Sequence, residues 1–582
     1  RDGNNQNTQN SSFELTCSKS SYAMVCHTLQ HKNAIDEILN KNDGILRKKI
    51  QMDAARNKGL LYILLNELLF GKYKKIRGGG KLKRNIVKYE KELRDAADTI
   101  LLARAGEAGT SRSLFRKQII FPRYVRVNTL KANTEDVVHS LRKTLQSYSS
   151  QHTQKEPHHM TREKIYADPH VPDLLVLSPK TGIPWHEHEL IRSGKIMLQD
   201  KSSCLSALAF DMYFNDNHKV GSPSGNKEEK EEEESMGDFI DACAAPGNKT
   251  LHLAALISKR YQQQQLDDHR HILDETKKKQ KTTKTLKSSK KLKVDEGAII
   301  PEVPTIFAFD RSSSRILTLR DRIASLTPTA KESADTMMTV DVKPIHEDFL
   351  KVNPNDEKYL NVKNILLDPS CSGSGIINTP DRLLDDLHEA DDAIDTKSNH
   401  NHSKNNHISK RISTLSNFQL VALKHAMSFP QVLRIVYSTC SIHEQENEHV
   451  VSSALLESNK EIADEMNQWE IISPPSLRNW KRRGHNVCGL SSDQAESLIR
   501  VDGTKGDDTN GFFVCYFQRK GVSEKSPNND NGKYEIELPP FVDGFYNGQF
   551  HHYNEEIVTS MEPMEEESAK LDANHINNQK ER

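Results

Sequence analysis

The stretch that decides the fold reads Phe239-Ile240-Asp241-Ala242-Cys243-Ala244-Ala245-Pro246-Gly247-Asn248-Lys249-Thr250. Its apolar start is typical of a buried parallel strand, and residues 251–259 have the pattern of a helix. Strand, small-residue loop and helix predict a dinucleotide-type α/β fold, in which backbone N–H groups at the loop and helix start bind a ligand. The loop is neither G-x-G-x-x-G nor a Walker loop, so a nicotinamide or ATP site has little support.

Two carboxylates at later strand ends extend this site. Asp310 follows the apolar run Thr305-Ile306-Phe307-Ala308-Phe309, and Asp348 ends a third predicted strand. An acid at the end of the second strand is where this fold holds ribose hydroxyls, and we expect Asp348 near an adenine. Each acid alone is more simply a surface carboxylate, but their order after the loop favours cofactor contacts. Alternating strands and helices predict a mostly parallel sheet.

Two cysteines lie in strand-end motifs. Cys371 belongs to Asp368-Pro369-Ser370-Cys371-Ser372-Gly373-Ser374-Gly375, and Cys440 belongs to Tyr437-Ser438-Thr439-Cys440-Ser441. Each motif follows a short apolar run, so we expect both thiols just past the carboxyl ends of strands, where such sheets bind ligands. A cofactor loop with two candidate reactive thiols indicates covalent catalysis on an electrophile. The alternative for either cysteine is a buried small hydrophobe, and the residues alone do not rank the two.

Composition narrows the class of protein. The 582 residues have formal net charge +0, 35% hydrophobic residues and a mean hydropathy of −0.70, so we expect several domains and some disorder. No apolar run of about 18 residues is present, and we expect no membrane span. The eight cysteines have neither the density of a disulfide scaffold nor the spacing of a zinc site, which favours a reducing compartment and no metal.

Shifts in composition divide the chain into segments. We expect a disordered start (1–20), a helical amino-terminal domain (21–117), a small α/β unit (118–194), an α/β domain (195–519) and an acidic, largely disordered tail (520–582). Polar, low-complexity inserts are predicted as disordered loops near 221–237, 262–295 and 391–410. The third insert is rich in His and Asn, but a polar loop explains it better than a metal site.

Seven motifs in order closely resemble the Fmu/Nop/Sun family of S-adenosylmethionine-dependent RNA (cytosine-C5) methyltransferases. They cover residues 123–131, 198–203, 241–250, 309–315, 368–375, 437–448 and 511–517. The usual family motif Asp-Ala-Pro-Cys is replaced by Asp368-Pro369-Ser370-Cys371, which is most similar to the eukaryotic subgroup acting on 25S/28S large-subunit rRNA. The resemblance implies a Rossmann-like class I methyltransferase domain, preceded by a small α/β RNA-binding unit and a helical domain.

The resemblance also implies roles for particular side chains. Cys440 would be the nucleophile, and Cys371 would act in product release and as a base. Asp368 would accept a hydrogen bond from the cytosine amine. Lys249 would stabilise charge on the ring, although a solvated lysine at a helix start is the alternative. The implied contacts to S-adenosylmethionine are Cys243, Ala244, Ala245, Pro246, Gly247, Asn248, Lys249, Asp310, Arg315, Asp348 and Asp368.

The implied partner is RNA, most simply large-subunit rRNA or pre-ribosomal particles, with the protein a monomer in the nucleus and nucleolus. Candidate phosphate contacts are the basic segment 72–88, Arg123, Arg126 and Lys131. The lysines between Lys277 and Lys293 could add RNA affinity or act as a nuclear address. The acidic run 444–448 after Cys440 most simply starts a helix.

Three alternatives stay open. A tRNA-specific member of the same family would carry the same motifs. A ribosome-assembly factor that binds rRNA without methylating it would have no need of Asp368, Cys371 and Cys440. A DNA cytosine methyltransferase would carry a Pro-Cys nucleophile after the fourth strand and would lack the second motif, Thr439-Cys440.

Overall fold

The computed structural model describes most of the chain in two compact units. The described residues are 19–50, 57–71, 73–105, 119–152, 164–179, 181, 183–210, 236–262, 303–328, 340–377, 402–487, 489–522 and 538–548. The first unit comprises Arg1–Phe121, Asn128–Lys131 and Gln199–Glu535, and the second comprises Pro122–Val127, Ala132–Leu198 and Ile536–Arg582. No helix in these ranges is long and apolar enough to cross a membrane.

The amino-terminal part of the first unit is helical. Its helices are α1 (Lys19–Gln30), α2 (Lys32–Lys49), α3 (Lys58–Leu69), α4 (Lys81–Val87) and α5 (Glu90–Ala105). The apolar positions that recur at helical spacing form one buried cluster, which includes Ile35, Leu39, Leu61, Leu65 and Leu93. Helix α1 starts at Lys19, two residues before the predicted start of the helical domain at 21, so Lys19 and Ser20 belong to its first turn and not to a disordered segment.

The second unit is built on a four-stranded antiparallel sheet. Its elements are β1 (Arg123–Val127), α6 (Thr134–His152), β2 (Tyr166–Ala167), β3 (Leu174–Leu177), α7 (Glu189–Arg192) and β4 (Ile196–Leu198). The strand order is β2-β3-β1-β4. Because β4 pairs with β1, the sheet extends past residue 194, where the small unit was expected to end.

Strand β1 corrects one predicted RNA contact. Apolar and polar residues alternate over residues 122–130, as in a strand with one exposed face, but four of the five residues of β1 are buried. Arg126 is 1% exposed, and its Nη2 lies 3.2 Å from Met197 Sδ. The interpretation of Arg126 as a phosphate contact is therefore wrong, because its side chain is buried and contacts Met197 on the neighbouring strand β4.

Part of the expected disordered tail is ordered. Ile165 N donates to Asp543 Oδ2 (2.8 Å), Ala167 N donates to Gly544 O (2.9 Å), and Tyr546 N donates to Ala167 O (2.8 Å). Residues 538–548 thus add backbone hydrogen bonds along the edge strand β2, and the prediction of a largely disordered 520–582 is wrong for this segment. Residues 523–537 and 549–582 lie outside the described residues.

The remainder of the first unit is an eight-stranded sheet with helices on it. Its elements are α8 (Lys201–Leu208), β5 (Asp238–Asp241), α9 (248–262), β6 (Thr305–Asp310), α10 (Ser313–Leu326), β7 (Asp341–His346), β8 (Val362–Leu367), α11 (His402–Met427), β9 (Arg434–Thr439), α12 (Glu448–Glu461), β10 (Trp469–Ile472), α13 (Ser492–Ser497), β11 (Ile499–Val501) and β12 (Phe512–Arg519). The order is β10-β12-β9-β8-β5-β6-β7, with β11 on β12.

The predicted parallel sheet is confirmed for its centre. Strands β7, β6, β5, β8 and β9 pair in parallel, whereas β10, β11 and β12 add antiparallel pairs. Ile240, Ile365 and Ile435 are register partners on β5, β8 and β9, and all are 0% exposed. Because these strands are aligned and the strand order switches between β5 and β8, the loops after them meet at one edge.

The prediction of a disordered loop at 391–410 was partly wrong. Helix α11 begins at His402 and runs to Met427, so it includes part of the expected loop 391–410. Once its apolar turns after Lys410 are fixed on the sheet, adding polar residues at the amino end costs little, because helix propagation is easier than nucleation. Residues 391–401 lie outside the described residues, as do the expected inserts 221–237 and 262–295 apart from 236–237 and 262.

Candidate active site

The loop after β5 turns tightly into α9. Ala244 N donates to Phe309 O (2.8 Å), which fixes the loop on the neighbouring strand β6. Gly247 has φ +102, and a Cβ there would lie 2.6 Å from Leu319 Cδ1. Only glycine combines that backbone with so close an approach of α10. The predicted loop and helix are confirmed, with α9 starting at residue 248.

Asp241, at the end of β5, accepts hydrogen bonds from this loop and from the start of α9. Its Oδ2 accepts from Thr250 Oγ1 (2.7 Å) and its Oδ1 accepts from Cys243 N (3.3 Å). Burial, opposed by the Thr250 hydrogen bond, raises the pKa of Asp241 to about 7. Burial also raises the pKa of the Cys243 thiol, which is therefore a packing group rather than a nucleophile.

Carboxylates follow the next two strands, as expected. Asp310 is 4% exposed and accepts from Ser312 N (2.8 Å). Arg315 Nη2 lies 3.4 Å from Asp310 Oδ2 and donates to Ala245 O, so the predicted Arg315 bridges the strand end and the loop. Asp348 lies two residues beyond His346, the register partner of Asp310, and accepts from Leu350 N (3.2 Å).

These groups suit a nucleoside-type cofactor. The loop is made of small residues, Asp310 offers a buried carboxylate at a strand end, and Asn248 Oδ1 is buried with no hydrogen-bond partner among the residues that the structure describes. An unsatisfied buried acceptor costs free energy that a ligand donor would recover. The residues present therefore fit a ligand with hydroxyl and amino donors.

The two strand-end thiols meet. Cys371 Sγ lies 3.0 Å from Cys440 Sγ, and both cysteines are free and partly exposed. Gly375 N donates to Cys440 O (2.9 Å), which ties the loop after β8 to the loop after β9. A Cβ at Gly375 would lie 2.3 Å from Gly511 O, so this tie requires glycine. The structure thus brings together residues 69 positions apart in the chain.

The two thiols are not equivalent. A hydrogen bond from Cys371 and the charge of Lys249 lower the pKa of Cys440, against burial and the charge of Asp368. The same hydrogen bond, burial and the charges of Cys440 and Asp368 raise the pKa of Cys371. The opposite directions of these shifts make Cys440 the more acidic thiol of the pair.

An ion pair lies beside the thiols. Lys249 Nζ lies 2.9 Å from Asp368 Oδ2 and donates to Ser203 Oγ (3.2 Å), while Asp368 Oδ1 accepts from Ser438 Oγ (2.8 Å). Burial tends to lower the pKa of Lys249, but Asp368 and Cys440 raise it by more, so the ammonium stays charged. The four predicted catalytic side chains, Cys371, Cys440, Asp368 and Lys249, form one cluster.

Family models match three parts of the chain. The N-terminal domain of "NOL1/NOP2/Sun domain family member 5" matches residues 19–108, and the ferredoxin-like domain of the same member matches residues 121–199. A model described as "16S rRNA methyltransferase RsmB/F" matches residues 297–479.

Curated relatives align over most of the chain. The 25S rRNA (cytosine-C(5))-methyltransferase rcm1 of Schizosaccharomyces pombe is 30% identical over 517 residues, 88% of this chain and 87% of that protein. A 28S rRNA (cytosine-C(5))-methyltransferase of Mus musculus is 30% identical, covering 87% and 85%. The 25S rRNA (cytosine-C(5))-methyltransferase NSUN5 of Arabidopsis thaliana is 31% identical, covering 86% and 66%.

The chain belongs to the NOL1/NOP2/Sun family of methyltransferases. The resemblance indicated by the seven motifs is thereby confirmed, as is a class I methyltransferase fold. The ferredoxin-like family domain ends at residue 199 and so includes β4, in agreement with the sheet. The RsmB/F match contains Asp310, Cys371 and Cys440.

Three functional side chains of this NOL1/NOP2/Sun chain were missed from the sequence. Ser203 and Ser438 lie inside two of the quoted motifs, but nothing in their spacing predicts that they bind Lys249 and Asp368. Glu446 was interpreted as a helix start. It lies instead in a 3-10 turn (Glu444–Glu446) before α12 and is 0% exposed. It contacts both thiol loops, which are the loops after β8 and β9 that carry Cys371 and Cys440.

Proposed function

We propose that this protein transfers a methyl group from S-adenosylmethionine to carbon 5 of a cytosine in large-subunit rRNA. This proposal is based mainly on the Cys371–Cys440 pair, whose Sγ atoms are 3.0 Å apart and lie beside the Lys249–Asp368 ion pair. The relatives named for 25S and 28S rRNA support this substrate over tRNA.

The residues around the loop after β5 would hold the cofactor. Backbone groups of residues 243–248 would approach it closely, Asp310 would accept from ribose hydroxyls, and Asn248 Oδ1 would gain the donor it lacks. Arg315 fixes Asp310 and Ala245 in place. When bound, S-adenosylmethionine supplies an electrophilic methyl group.

Cys440 is the nucleophile of the proposed reaction. Its thiolate forms a bond to carbon 6 of the cytosine, and the electrons of the carbon 5–carbon 6 double bond make carbon 5 nucleophilic. The thiolate is favoured by the Cys371 hydrogen bond and by Lys249. Asp368, held by Lys249 and Ser438, accepts from the exocyclic amine through its remaining lone pairs.

Cys371 acts in release. While Cys440 is an anion, the hydrogen bond and charge of Cys440 raise the pKa of Cys371. Once Cys440 is bonded to carbon 6, that hydrogen bond and charge are gone, so the partly exposed Cys371 loses its proton to solvent more easily. The resulting thiolate removes the proton from carbon 5, the double bond forms again, and the bond from carbon 6 to Cys440 breaks with the electron pair returning to sulfur.

The target cytosine has to leave its stack or come from an unpaired region to reach this cluster. The basic segment 72–88, Arg123 and Lys131 remain predicted RNA contacts, and Lys131 Nζ also donates to Ser325 O (3.1 Å). We further propose that the enzyme acts in ribosome biogenesis in the nucleolus, because large-subunit rRNA is its proposed substrate. The monomeric state stays a prediction.

The direct test is methyl transfer from S-adenosylmethionine labelled in its methyl group. Wild-type protein is incubated separately with large-subunit rRNA, tRNA and duplex DNA, and 5-methylcytosine is quantified by mass spectrometry, with Cys440→Ala as the control. We expect label in large-subunit rRNA for the wild type and none for the variant. Label in tRNA would instead identify the tRNA member, and rRNA binding without label would identify an assembly factor.

A further inference from the structure

One buried carboxylate touches both thiol loops. Glu446 Oε1 accepts from Ser372 N (2.9 Å), and its Oε2 accepts from Ser441 Oγ (2.6 Å). Ser372 directly follows Cys371, and Ser441 directly follows Cys440. Glu446 is 0% exposed, so a single group in the interior joins the residues next to both reactive sulfurs.

A third element completes this arrangement. Gln419, from α11, donates through Nε2 to Glu446 Oε1 (3.0 Å) and to Ser370 O (3.0 Å). Cys371 is therefore held on both sides, at Ser370 by Gln419 and at Ser372 by Glu446. The hydroxyl of Ser372 also donates to Ser441 Oγ (3.2 Å), which is a second direct link between the loops.

Stability alone does not account for this arrangement. A carboxylate loses its hydration when buried, and an apolar side chain of similar volume often serves stability as well or better. The donors to Glu446 are a backbone amide, a side-chain amide and a hydroxyl, all directional groups. They determine where the loops lie, which a hydrophobic contact would do less strictly.

We propose that Glu446 is a positioning residue that sets the distance and orientation of Cys371 relative to Cys440. This inference rests on the proposed function, because its expected effects on adduct formation and release assume that reaction. Contact between the sulfurs matters before attack, when the hydrogen bond from Cys371 favours the Cys440 thiolate, and after it, when Cys371 has to reach the proton on carbon 5. Loosening either loop impairs both steps.

The first test measures thiol proximity without RNA. Dibromobimane becomes fluorescent when two thiolates displace its two bromides, and peptide mapping identifies the Cys371–Cys440 product. Glu446→Ala is expected to slow this bridging about tenfold or more, because small misplacements of reacting groups have large effects on rate. The matched control is Glu444→Ala, on the same turn, whose carboxylate is half exposed and lies 2.5 Å from His485 Nδ1. We expect it to stay within about twofold of the wild type.

The second test separates the two chemical steps. With Cys371 intact, Glu446→Ala is expected to slow both adduct formation and release, by roughly tenfold to a hundredfold per cofactor-binding molecule. In the Cys371→Ala background no hydrogen bond from residue 371 is left to lose, so Glu446→Ala should slow adduct formation much less. Glu446→Gln keeps the shape but replaces one acceptor by a donor facing Ser441, so its rates should lie between those of the wild type and Glu446→Ala.

The rate at which dibromobimane links Cys371 and Cys440 decides whether Glu446 has the proposed positioning role. If Glu446→Ala bridges as fast as Glu444→Ala at equal cofactor-binding stoichiometry, Glu446 serves stability only and the proposal is overturned. If Glu446→Ala does not bind cofactor, Glu446→Gln decides: wild-type bridging and wild-type rates would also overturn it. A wild type whose thiols react normally with dibromobimane but which methylates no RNA would refute the proposed function. The positioning role of Glu446 would then be judged from the dibromobimane rates alone.

Discussion

The loops after β8 and β9 carry the same chemical group into different surroundings. Each follows a buried parallel strand, contains small polar residues and presents a partly exposed thiol, yet the pKa of Cys371 is raised and that of Cys440 is lowered. The hydrogen bond between the two sulfurs and the charge of Lys249 lower the pKa of Cys440. The neighbours of a cysteine, rather than the residue type or its motif, thus determine the direction in which its pKa shifts, and this difference supports the proposal that Cys440 is the nucleophile.

The largest expected effect comes from removing one thiol at a time. Cys440→Ala should reduce 5-methylcytosine formation by roughly a thousandfold or more, because loss of the nucleophile removes covalent catalysis. Cys371→Ala should still form the covalent protein–RNA adduct but release it slowly. Denaturing gels of each variant with S-adenosylmethionine and rRNA measure both results. An adduct from Cys440→Ala would reverse the roles.

A smaller effect is expected from removing the charge that distinguishes the loops. The Lys249 ammonium lowers the pKa of Cys440, so Lys249→Met raises that pKa and moves the half-maximal adduct rate to higher pH. At neutral pH the rate should fall about tenfold for each unit of the shift, and it should recover partly in alkaline buffer. The measurement is the pH dependence of single-turnover adduct formation in the Cys371→Ala background.

Lys424→Met is the matched control for that series. Lys424 Nζ lies 2.8 Å from Glu457 Oε2, in an ion pair between α11 and α12 of about the same length as the pair made by Lys249. It should leave the pH profile of adduct formation unchanged. An identical profile for Lys249→Met and Lys424→Met would show that Lys249 does not set the thiolate fraction.

Local features of the fold were predictable from the sequence. The loop after β5 is a contiguous strand, small-residue loop and helix start, so its conformation depends on residues close in the chain. The thiols could be placed just past the carboxyl ends of two strands for the same reason, and the order of the seven motifs identified the family. Their 3.0 Å separation could not be predicted, because it depends on strand register.

The wrong predictions concern contacts over long separations. Glu446 lies in an acidic run that is typical of a helix start. Its hydrogen-bond partner Ser372 is 74 residues away in the sequence, so the burial of Glu446 depends on how the two loops fold together. Arg126 alternates with apolar residues as an exposed position would, but its side chain is buried and contacts Met197 on β4. Residues 538–548 follow a polar segment, yet Phe541 and Val542 pack on the core of the second unit, a short apolar signal that composition over the whole tail obscured.

The most direct test of this account is the pH dependence of iodoacetamide labelling at each thiol in the native wild-type protein without RNA. Peptide mass spectrometry reports Cys371 and Cys440 separately, and alkylation follows the thiolate. We expect Cys440 to be labelled faster at neutral pH and with the lower midpoint, whereas Cys371 should require more alkaline buffer. Faster labelling of Cys371, or equal midpoints, would contradict the assignment of Cys440 as the thiolate nucleophile.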